Sequence, residues 1–577
     1  MKKKLSLLLV LFMMLTMFTG CGNGDEGAAE EIGKTVEGVG SGYGGEILLE
    51  VQIHGEEIKS INIIDHQETE GISDMALEEM PKKITETQSL SVDAVSGATL
   101  TSEGILEAVA NALEAAGLNP DDFMKEEEAR ELKQGDIEET DIVIVGAGIA
   151  GIMAAMELEE HYPELDFILL EKLPVFGGAI ITTGGAIFAV DSYMHEEEGI
   201  EATDMEDLIA YMEDSSRRSL NRELLENTFA FSEDTLNWYL DLGLPVDGEL
   251  QYSSPHSEKL FAAWTEGRGQ GLYRFLEEMV AERDFDLRLN SEVTELIVED
   301  GEVIGVRVED QDAVYEIHAK KTLLSTGGFG SNEELMERYA EPFADGVIST
   351  HGGATGDGFT MTEVFGTEVV GDGTMGTIVA PDGSSIINST FMVNSEGRRF
   401  HNERDISYRV QRAIAEYADS KAFFISIEEH LDPEHLEQGL ESGMIEKFED
   451  LETLAQEMGI EKEALIEEVE AYGEALAEGK SPGYDLDPEE ALALEGGPYY
   501  VSPVVVRTFG TIPGIHVSPR GEVLDGEGEV VPNLFAAGEL IAGNAFSYQY
   551  PGAGMGISFA ANTGRLIASE AGKSLVE

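Results

Sequence analysis

The strongest chemical pattern in the sequence is Asp141–Gly151, which reads DIVIVGAGIAG and is followed by an acidic residue at Glu171. An unbroken β-branched run leads into G-x-G-x-x-G, whose glycines are Gly146, Gly148 and Gly151. The first glycine permits a tight turn, the second lets the backbone approach a pyrophosphate, and the third lets a helix pack against the strand. Glu171 follows a second apolar run, where an acid can accept a hydrogen bond from a ribose hydroxyl. The pattern predicts a strand–helix–strand unit that binds a dinucleotide.

A second pattern, Asp93–Thr99, reads DAVSGAT and is followed by a predicted helix with Ile105, Ala108 and Val109 on one face. The small residues next to Thr99 leave room for a phosphate, and the start of a helix favours negative charge. The alternative is a turn that only caps the helix.

Composition and charge restrict the partners. Lys and Arg number 36 against 114 Asp and Glu, which gives a formal net charge of −78. Because phosphate backbones bind positively charged surfaces, this balance excludes nucleic acid as a partner. Cys21 is the only cysteine. The sequence therefore predicts no disulfide, no iron–sulfur cluster and no C-x-x-C-H haem site. No metal site is predicted either.

The N-terminus predicts export. Met1–Lys4 is basic, Leu5–Phe18 is apolar, and Phe18–Cys21 (FTGC) resembles a bacterial lipoprotein cleavage box. That resemblance implies a lipidated Cys21 and a lipid anchor on the outer face of the cytoplasmic membrane. A plain signal peptide or an uncleaved anchor is the alternative, and either one also places the mature protein outside the cytoplasm.

The sequence around Thr99 resembles the family of small domains that carry FMN covalently. The family motif D-x-x-S-G-A-T is matched without departure, and residues 66–71 (HQETEG) resemble a second family stretch. In the family, a flavin transferase esterifies the final threonine through the FMN phosphate. The resemblance therefore implies covalent FMN at Thr99 and a flavin transferase as a partner.

The rest of the chain resembles the FAD-dependent fumarate reductase and succinate dehydrogenase flavoprotein superfamily, which includes flavocytochrome c, urocanate reductase and 3-ketosteroid dehydrogenase proteins. The resemblance covers nearly all of 140–577 and implies non-covalent FAD. It rests on several glycine-rich motifs in family order. Beyond the fingerprint, the implied FAD-contacting residues are Gly177, Gly178, Thr183, Gly184, Gly185, Thr326, Gly327, Gly328, Asp357, Gly538 and Glu539.

These patterns predict an α/β protein: a Rossmann-like FAD-binding domain with an inserted α+β cap domain, and a small α+β FMN-binding domain. The predicted order is a signal peptide (1–21), a flexible tether (22–44), the FMN-binding domain (45–117), a charged linker (118–139), the first part of the FAD-binding domain (140–347), the cap (348–507) and the second part of the FAD-binding domain (508–577).

Two residues are candidates for proton transfer. Residues 393–403 (VNSEGRRFHNE) resemble the superfamily loop G-x-R-F-x-N-E, which carries the proton-handling residue. Arg404 resembles the arginine acid of fumarate reductases after a gap, and Tyr408 resembles the tyrosine base of ketosteroid dehydrogenases. A surface ion pair for Arg404 and packing against the cap for Tyr408 remain the alternatives.

Residues 543–554 (GNAFSYQYPGAG) resemble the ketosteroid dehydrogenase segment N-x-F-x-x-x-Y-P-G-x-G. In those enzymes the tyrosine hydroxyl and the last glycine amide bind the substrate ketone oxygen, which implies these roles for Tyr550 and Gly554. A turn that merely lines the flavin is the alternative. Gly510 and Pro551 stand where fumarate and urocanate reductases carry a carboxylate-binding histidine and arginine, so a small dicarboxylate would be poorly held. His256, Trp264 and Arg268 are pocket candidates without a motif.

The resemblances imply an oxidoreductase acting on CH–CH bonds, which reduces a C=C bond conjugated to a carbonyl. Hydride would come from FAD N5, and FMN would relay electrons from a quinol-linked or reductase partner in the membrane. Direction rests on the fusion of an FMN domain. The alternatives are ketosteroid-type dehydrogenation, fumarate or urocanate reduction, and a flavolipoprotein that only carries electrons.

Overall fold

The computed structural model describes residues 33–42, 45–68, 74–92, 99–124, 132–216, 220–254, 257–381 and 390–577. It has the predicted α/β architecture: a small N-terminal domain, a Rossmann-like domain with a central sheet, and a cap with its own sheet. The predicted signal peptide, with Cys21, lies outside the described residues. None of the helices within the described ranges is both long enough and apolar enough to cross a membrane.

The small domain is an antiparallel sheet of three strands packed against helices. Alternating side chains of the middle strand, such as Leu49 and Val51, are fully buried and meet Val109 and Leu113 of the second helix in one core. Buried side chains alternate with more exposed ones because successive residues of a strand point to opposite faces, and only one face of this sheet is covered by helices. The strands are Lys34–Ser41, Glu46–His54 and Glu57–His66, the helices are Asp74–Thr87 and Thr99–Ala116, and a short 3-10 helix is Pro120–Phe123.

The prediction of a flexible tether over 22–44 is wrong for Lys34–Ser41, which forms the edge strand of this sheet, antiparallel to Glu46–His54. The glycines that suggested flexibility serve close packing instead. A Cβ atom on Gly38 would lie 1.9 Å from the carbonyl oxygen of Ala108 on the second helix. The strand therefore needs glycine there because the helix backbone approaches it directly.

The prediction of a linker over 118–139 is wrong at both ends. Phe123 is buried in the small domain, and a continuous strand already begins at Lys133. The charged residues of this strand's first half are mostly exposed, and its backbone pairs in parallel with Ala313–Leu324. A run of charged residues therefore does not distinguish a linker from an exposed strand, because both tolerate charged side chains.

The central sheet has eight strands. Its parallel part brings together the carboxyl ends of Lys133–Val145, Ala313–Leu324 and Val530–Ala536. Ligands of such sheets bind at this edge. The other strands are Phe167–Leu170, Asp286–Arg288, Glu292–Glu299, Glu302–Glu309 and Glu522–Leu524, and the helices Ile149–His161 and Met555–Val576 pack against each other on this domain.

A helical segment with a three-stranded sheet follows the first two parallel strands. Its strands are Ala186–Phe188, Gln251–Tyr252 and Phe261–Trp264, and its helices are Tyr193–Glu198, Met205–Ser216, Arg222–Phe229, Ser232–Asp241 and Arg268–Ala281.

The cap is built on a six-stranded sheet through which the strand Tyr499–Thr511 runs. This strand continues past the predicted cap boundary at 507, because its second half pairs with Thr374–Val379. The cap sheet therefore reaches the FAD-binding domain without a break. The other strands are Val347–Ile348, Phe391–Val393, Lys421–Ile427 and Glu446–Phe448, and the helices are Ser407–Tyr417, Pro433–Ser442, Leu451–Met458 and Lys462–Ala477. The short helix Glu333–Tyr339 follows the central strand Ala313–Leu324 in the chain. The helix Asp357–Thr362 and the strand Val369–Val370 lie between the cap strands Val347–Ile348 and Thr374–Val379, and Val369–Val370 pairs with Gly514–Ile515.

Candidate flavin and substrate site

A cavity of about 410 Å³ lies between the carboxyl edge of the central sheet and the cap. Most of the residues predicted to contact FAD or substrate line it: Gly146, Gly148, Glu171, Gly177, Gly178, Thr183, Gly184, Gly185, Thr326, Gly327, Asp357, Tyr408, Gly538, Glu539, Tyr550 and Gly554. Gly151, Gly328 and Arg404 are not part of the lining. The fold therefore brings residues from well-separated segments of the chain to one concave surface, the arrangement expected of a cofactor site.

The fingerprint turn has the geometry that a pyrophosphate requires. Gly146 has a φ of +97°, and a Cβ atom on Gly151 would lie 1.9 Å from the Gly146 carbonyl oxygen. Gly148 differs, because no atom lies within 4 Å of the position of a Cβ atom there. The helix Ile149–His161 begins at this open side of Gly148. The turn thus offers a free surface and helix N-terminal amides to a phosphate.

Glu171 lies at the end of the strand Phe167–Leu170 and is buried. Its carboxylate accepts hydrogen bonds from the amides of Ala147 and Leu173, both at 2.9 Å. Burial raises the pKa of Glu171, whereas the two amide bonds oppose that shift. A carboxylate has about four acceptor positions, so two amides leave room for a ribose hydroxyl.

The second glycine turn packs around Glu539. Its Oε1 atom accepts from the amide of Thr511 at 2.7 Å and from the Thr511 hydroxyl at 3.0 Å, and burial raises its pKa. A Cβ atom on Gly328 would lie 2.0 Å from the same Oε1 atom, which explains why Gly328 supports the turn without lining the cavity. The buried hydroxyl of Thr326 has no hydrogen-bond partner among the described residues. An unpaired buried hydroxyl at a cavity wall fits a site whose cofactor completes the bonding.

One lining residue that the sequence analysis missed is His351. It precedes the T-G-D-G turn, where Lys172 forms an ion pair with Asp357 at 2.7 Å and a hydrogen bond with Thr355 at 2.6 Å. The Nδ1 atom of His351 accepts from the Gly353 amide at 3.2 Å. Burial, helped by the charge of Lys172, lowers the pKa of His351 to about 4. A neutral histidine therefore faces the cavity, and no sequence pattern signals it.

Two tyrosines from different domains meet at the cavity. Tyr408 lies in the first turn of the cap helix Ser407–Tyr417, and Tyr550 lies in the loop before the last helix. Their ring centroids are 5.6 Å apart and the rings are nearly perpendicular, at 89°. The Tyr550 hydroxyl oxygen accepts from the Gly556 amide at 3.0 Å, which leaves its hydrogen available for another acceptor. Burial raises the pKa of both hydroxyls, so both stay protonated near neutral pH.

Gly554 lies beside Tyr550 at the start of the helix Met555–Val576, with a φ of +83°. A Cβ atom there would lie 2.7 Å from the amide nitrogen of Phe188, so the position requires glycine. Within the described ranges, no group accepts a hydrogen bond from the Gly554 amide. The amide and the Tyr550 hydroxyl are therefore two donors that line one cavity.

Arg404 lies away from this site. Its side chain is exposed and does not line the cavity, and its backbone amide donates to the Asn402 side chain at 2.9 Å. The conspicuous charges of the same loop, Arg399 and Glu403, pair with each other at 2.8 Å in the interior of the cap. This geometry favours Tyr408 over Arg404 as the group that could transfer a proton inside the cavity.

The cavity wall is poor in cations. Among its described lining residues, Lys172 is the only lysine or arginine, and it is already paired with Asp357. Gly510 belongs to the lining and Pro551 does not. Trp264 also lines the cavity, and the exposed Arg268, which does not, stacks on the Trp264 ring with its Cζ atom 4.6 Å from the ring centroid. His256 lies outside the described residues.

Thr99 is the first residue of the helix Thr99–Ala116, as the motif predicts for the attachment position, but its side chain and residues 93–98 lie outside the described part of the chain. Covalent attachment at Thr99 therefore stays a prediction. In the described ranges, no cluster of His, Cys, Asp or Glu has the arrangement of a metal site.

Comparison with known proteins agrees with this site. Residues 141–557 match the family of the FAD binding domain, and residues 42–114 match the FMN-binding domain family. Urocanate reductase of Eggerthella lenta is 28% identical over 543 residues, covering 89% of this chain and 88% of the relative.

Two solved structures share the fold. The open conformation of a flavocytochrome c3 fumarate reductase is 26% identical with a TM-score of 0.60 and covers 76% of this chain and 79% of its own. A 3-ketosteroid-Δ4-(5α)-dehydrogenase of Rhodococcus jostii RHA1 is 21% identical with a TM-score of 0.62 and covers 75% and 97%. With both cofactor domains matched, FAD and FMN are the cofactors. The chain therefore belongs to the fumarate reductase and succinate dehydrogenase superfamily of FAD-dependent oxidoreductases and carries an additional FMN-binding domain.

Proposed function

We propose that this protein reduces a C=C bond conjugated to a carbonyl, with a neutral unsaturated ketone or an aryl acrylate as substrate. The observation that carries the proposal is the meeting of Tyr408 and Tyr550, ring centroids 5.6 Å apart, at a cavity wall without a free guanidinium. Bound FAD supplies the hydride, and FMN supplies the electrons that restore it.

The residues of the chain provide charge stabilisation and a proton. The Tyr550 hydroxyl and the Gly554 amide hold the carbonyl oxygen, where negative charge develops as the β-carbon is reduced. The Gly556 amide strengthens this grip, because a hydroxyl that accepts a hydrogen bond becomes a better donor. Tyr408 then gives its proton to the α-carbon. Burial raises the pKa of Tyr408, so its hydroxyl is protonated when the substrate binds.

The wall composition supports a bulky or apolar substrate. The lining includes the aromatic residues Trp264, Phe509 and Phe546, while its one lysine is paired with Asp357. A small dicarboxylate would need a bidentate guanidinium on at least one end. A neutral carbonyl needs only the two donors at Tyr550 and Gly554.

The FMN domain supports reduction as the cellular direction. An FMN group can pass single electrons from a quinol-linked or reductase partner in the membrane to FAD, which a simple dehydrogenase does not need. We include in the proposal a lipid anchor at Cys21 on the outer face of the cytoplasmic membrane, and FMN attached to Thr99 by a flavin transferase. The tests are labelling with a radioactive fatty acid, lost in Cys21→Ala, and yellow colour in acid-precipitated protein, lost in Thr99→Ala.

Anaerobic reoxidation of the dithionite-reduced holoprotein tests the proposed reaction. We expect 2-cyclohexen-1-one or cinnamate to oxidise the flavins at least about tenfold faster than the small dicarboxylate fumarate. Tyr408→Phe and Tyr550→Phe should each slow that step. Faster oxidation by fumarate than by the enone would contradict the substrate class. Oxidation by a redox dye alone would indicate an electron carrier.

A further inference from the structure

Arg412 is a largely buried arginine that joins three segments around the two tyrosines. Its Nη1 atom donates to the carbonyl oxygen of Tyr548 at 2.6 Å, its Nη2 atom to Asp372 at 2.5 Å, and its Nε atom to Glu416 at 2.7 Å. Its Cζ atom also lies 3.3 Å from the centroid of the Tyr548 ring. The guanidinium thus combines three charge-assisted bonds with a stacking contact, which fixes its orientation.

The position of Arg412 in the chain links both tyrosines. Arg412 is one helical turn beyond Tyr408 on the cap helix Ser407–Tyr417, so the two side chains leave the same side of that helix. Tyr548 lies two residues before Tyr550 in the loop. Arg412 therefore connects the element that carries one tyrosine to the loop that carries the other.

The loop itself needs this support. Ser547 has a φ of +56°, an unfavourable region for a residue other than glycine, and its carbonyl oxygen accepts from the Asp372 amide at 2.8 Å. Asp372 in turn holds Arg412, and the Tyr548 hydroxyl donates to Glu416 at 3.1 Å. An edge contact between two rings is weak by comparison, so Tyr408 and Tyr550 do not hold each other in place.

We propose that Arg412 is a positioning residue that keeps the proton donor Tyr408 and the carbonyl-binding Tyr550 in their reactive relative orientation. This inference rests on the proposed function. Arg412 does not itself line the cavity, so it acts through the two tyrosines and the Tyr548 carbonyl.

The test compares Arg412→Ala and Arg412→Lys with a matched control, Arg283→Ala. Arg283 also pairs with a carboxylate, that of Glu159 at 2.6 Å, and its Cζ atom lies 5.7 Å from the centroid of the Trp238 ring. It does not line the cavity, and none of these contacts involves the helix that carries Tyr408 or the loop that carries Tyr550. With 2-cyclohexen-1-one as acceptor and reduced methyl viologen as donor, Arg412→Ala should lower kcat about 100-fold. Arg412→Lys should recover part of the lost kcat, since an ammonium can pair with Asp372 but cannot donate to Asp372, Glu416 and the Tyr548 carbonyl in the planar geometry of a guanidinium. Arg283→Ala should stay within about threefold of the wild type.

A double mutant separates positioning from a general structural role. In a background that carries both Tyr408→Phe and Tyr550→Phe, Arg412→Ala should lower the residual kcat by less than about threefold, because both hydroxyls that it positions are already gone. An additive 100-fold loss in that background, or equal losses in Arg412→Ala and Arg283→Ala, would overturn the proposal.

Binding of 4-nitrophenol, an enolate analogue, to the oxidised holoprotein distinguishes failure of this inference from failure of the proposed function. If the wild type does not reduce the enone, the proposed reaction fails, but the positioning role predicts that Arg412→Ala weakens 4-nitrophenol binding at least about tenfold. Unchanged binding in Arg412→Ala, with tight binding in the wild type, would refute the positioning role.

Discussion

Two alanine substitutions in one turn, Gly151→Ala and Gly148→Ala, should separate helix packing from FAD binding. A Cβ atom on Gly151 would lie 1.9 Å from the Gly146 carbonyl oxygen and 2.8 Å from the Ser325 hydroxyl. Because non-bonded carbon and oxygen stay roughly 3 Å or more apart, the backbone would have to move by about 1 Å. On Gly148 the same methyl group meets no atom within 4 Å.

The magnitudes follow from these distances. Overpacking against backbone should cost Gly151→Ala about 1–3 kcal/mol of unfolding free energy. Gly148 has a φ of −70° and a ψ of −176°, which alanine adopts without strain. A less flexible unfolded chain should stabilise Gly148→Ala by about 0.4–1 kcal/mol, and the poorer helix cap should offset this by a similar amount. Its methyl group projects into the cavity, however, and losing one hydrogen bond to a charged phosphate costs about 1.5–3 kcal/mol, which is an affinity for FAD about 10- to 150-fold weaker.

The assay needs no substrate. FAD-free protein of each variant is unfolded in urea and separately titrated with FAD, with quenching of flavin fluorescence as the signal. We expect Gly151→Ala to unfold at lower urea than the wild type, and Gly148→Ala to unfold normally but bind FAD weakly. The reasoning would be refuted if Gly148→Ala bound FAD like the wild type, or if it unfolded as early as Gly151→Ala.

Three further predictions concern the cavity and the cap. Tyr550→Phe should lower kcat for 2-cyclohexen-1-one about 10²- to 10³-fold in steady-state assays, because one of two donors to the carbonyl oxygen is lost; a loss below tenfold would contradict that role. Glu403→Ala should lower the unfolding free energy, measured in urea, by about 3–5 kcal/mol, because it leaves the buried guanidinium of Arg399 without its carboxylate partner. The control is Glu467→Ala, which removes an exposed ion pair with Arg398 and should cost less than about 1 kcal/mol. The pKa of His351, lowered to about 4 by burial, means that only the unfolded chain binds a proton there between about pH 6.5 and 4. Stability should therefore fall as the pH falls through that window, and less steeply in His351→Gln, as measured by urea unfolding at pH 7, 5.5 and 4.5.

Sequence reasoning was most successful where function depends on a short continuous segment. The fingerprint at Gly146–Gly151 and the acid at Glu171 imply their ligand by local spacing alone, and the FAD and FMN domain matches confirm both cofactors. It was least successful with composition. Glycines in Lys34–Ser41 were interpreted as a flexible tether, but they form a strand because a distant helix packs directly on them.

The sequence by itself determined the types of domain and the cofactors and predicted two candidates for proton transfer, because each depends on residues that are neighbours in the chain. Only the tertiary structure placed Tyr408 at the cavity and Arg404 on the surface, since exposure depends on how the loop and the cap helix Ser407–Tyr417 pack. Only the structure brought His351 to the cavity and joined Arg412 to the Tyr548 loop. Such contacts link residues more than a hundred positions apart, and they form only when the central sheet and the cap close around a common cavity.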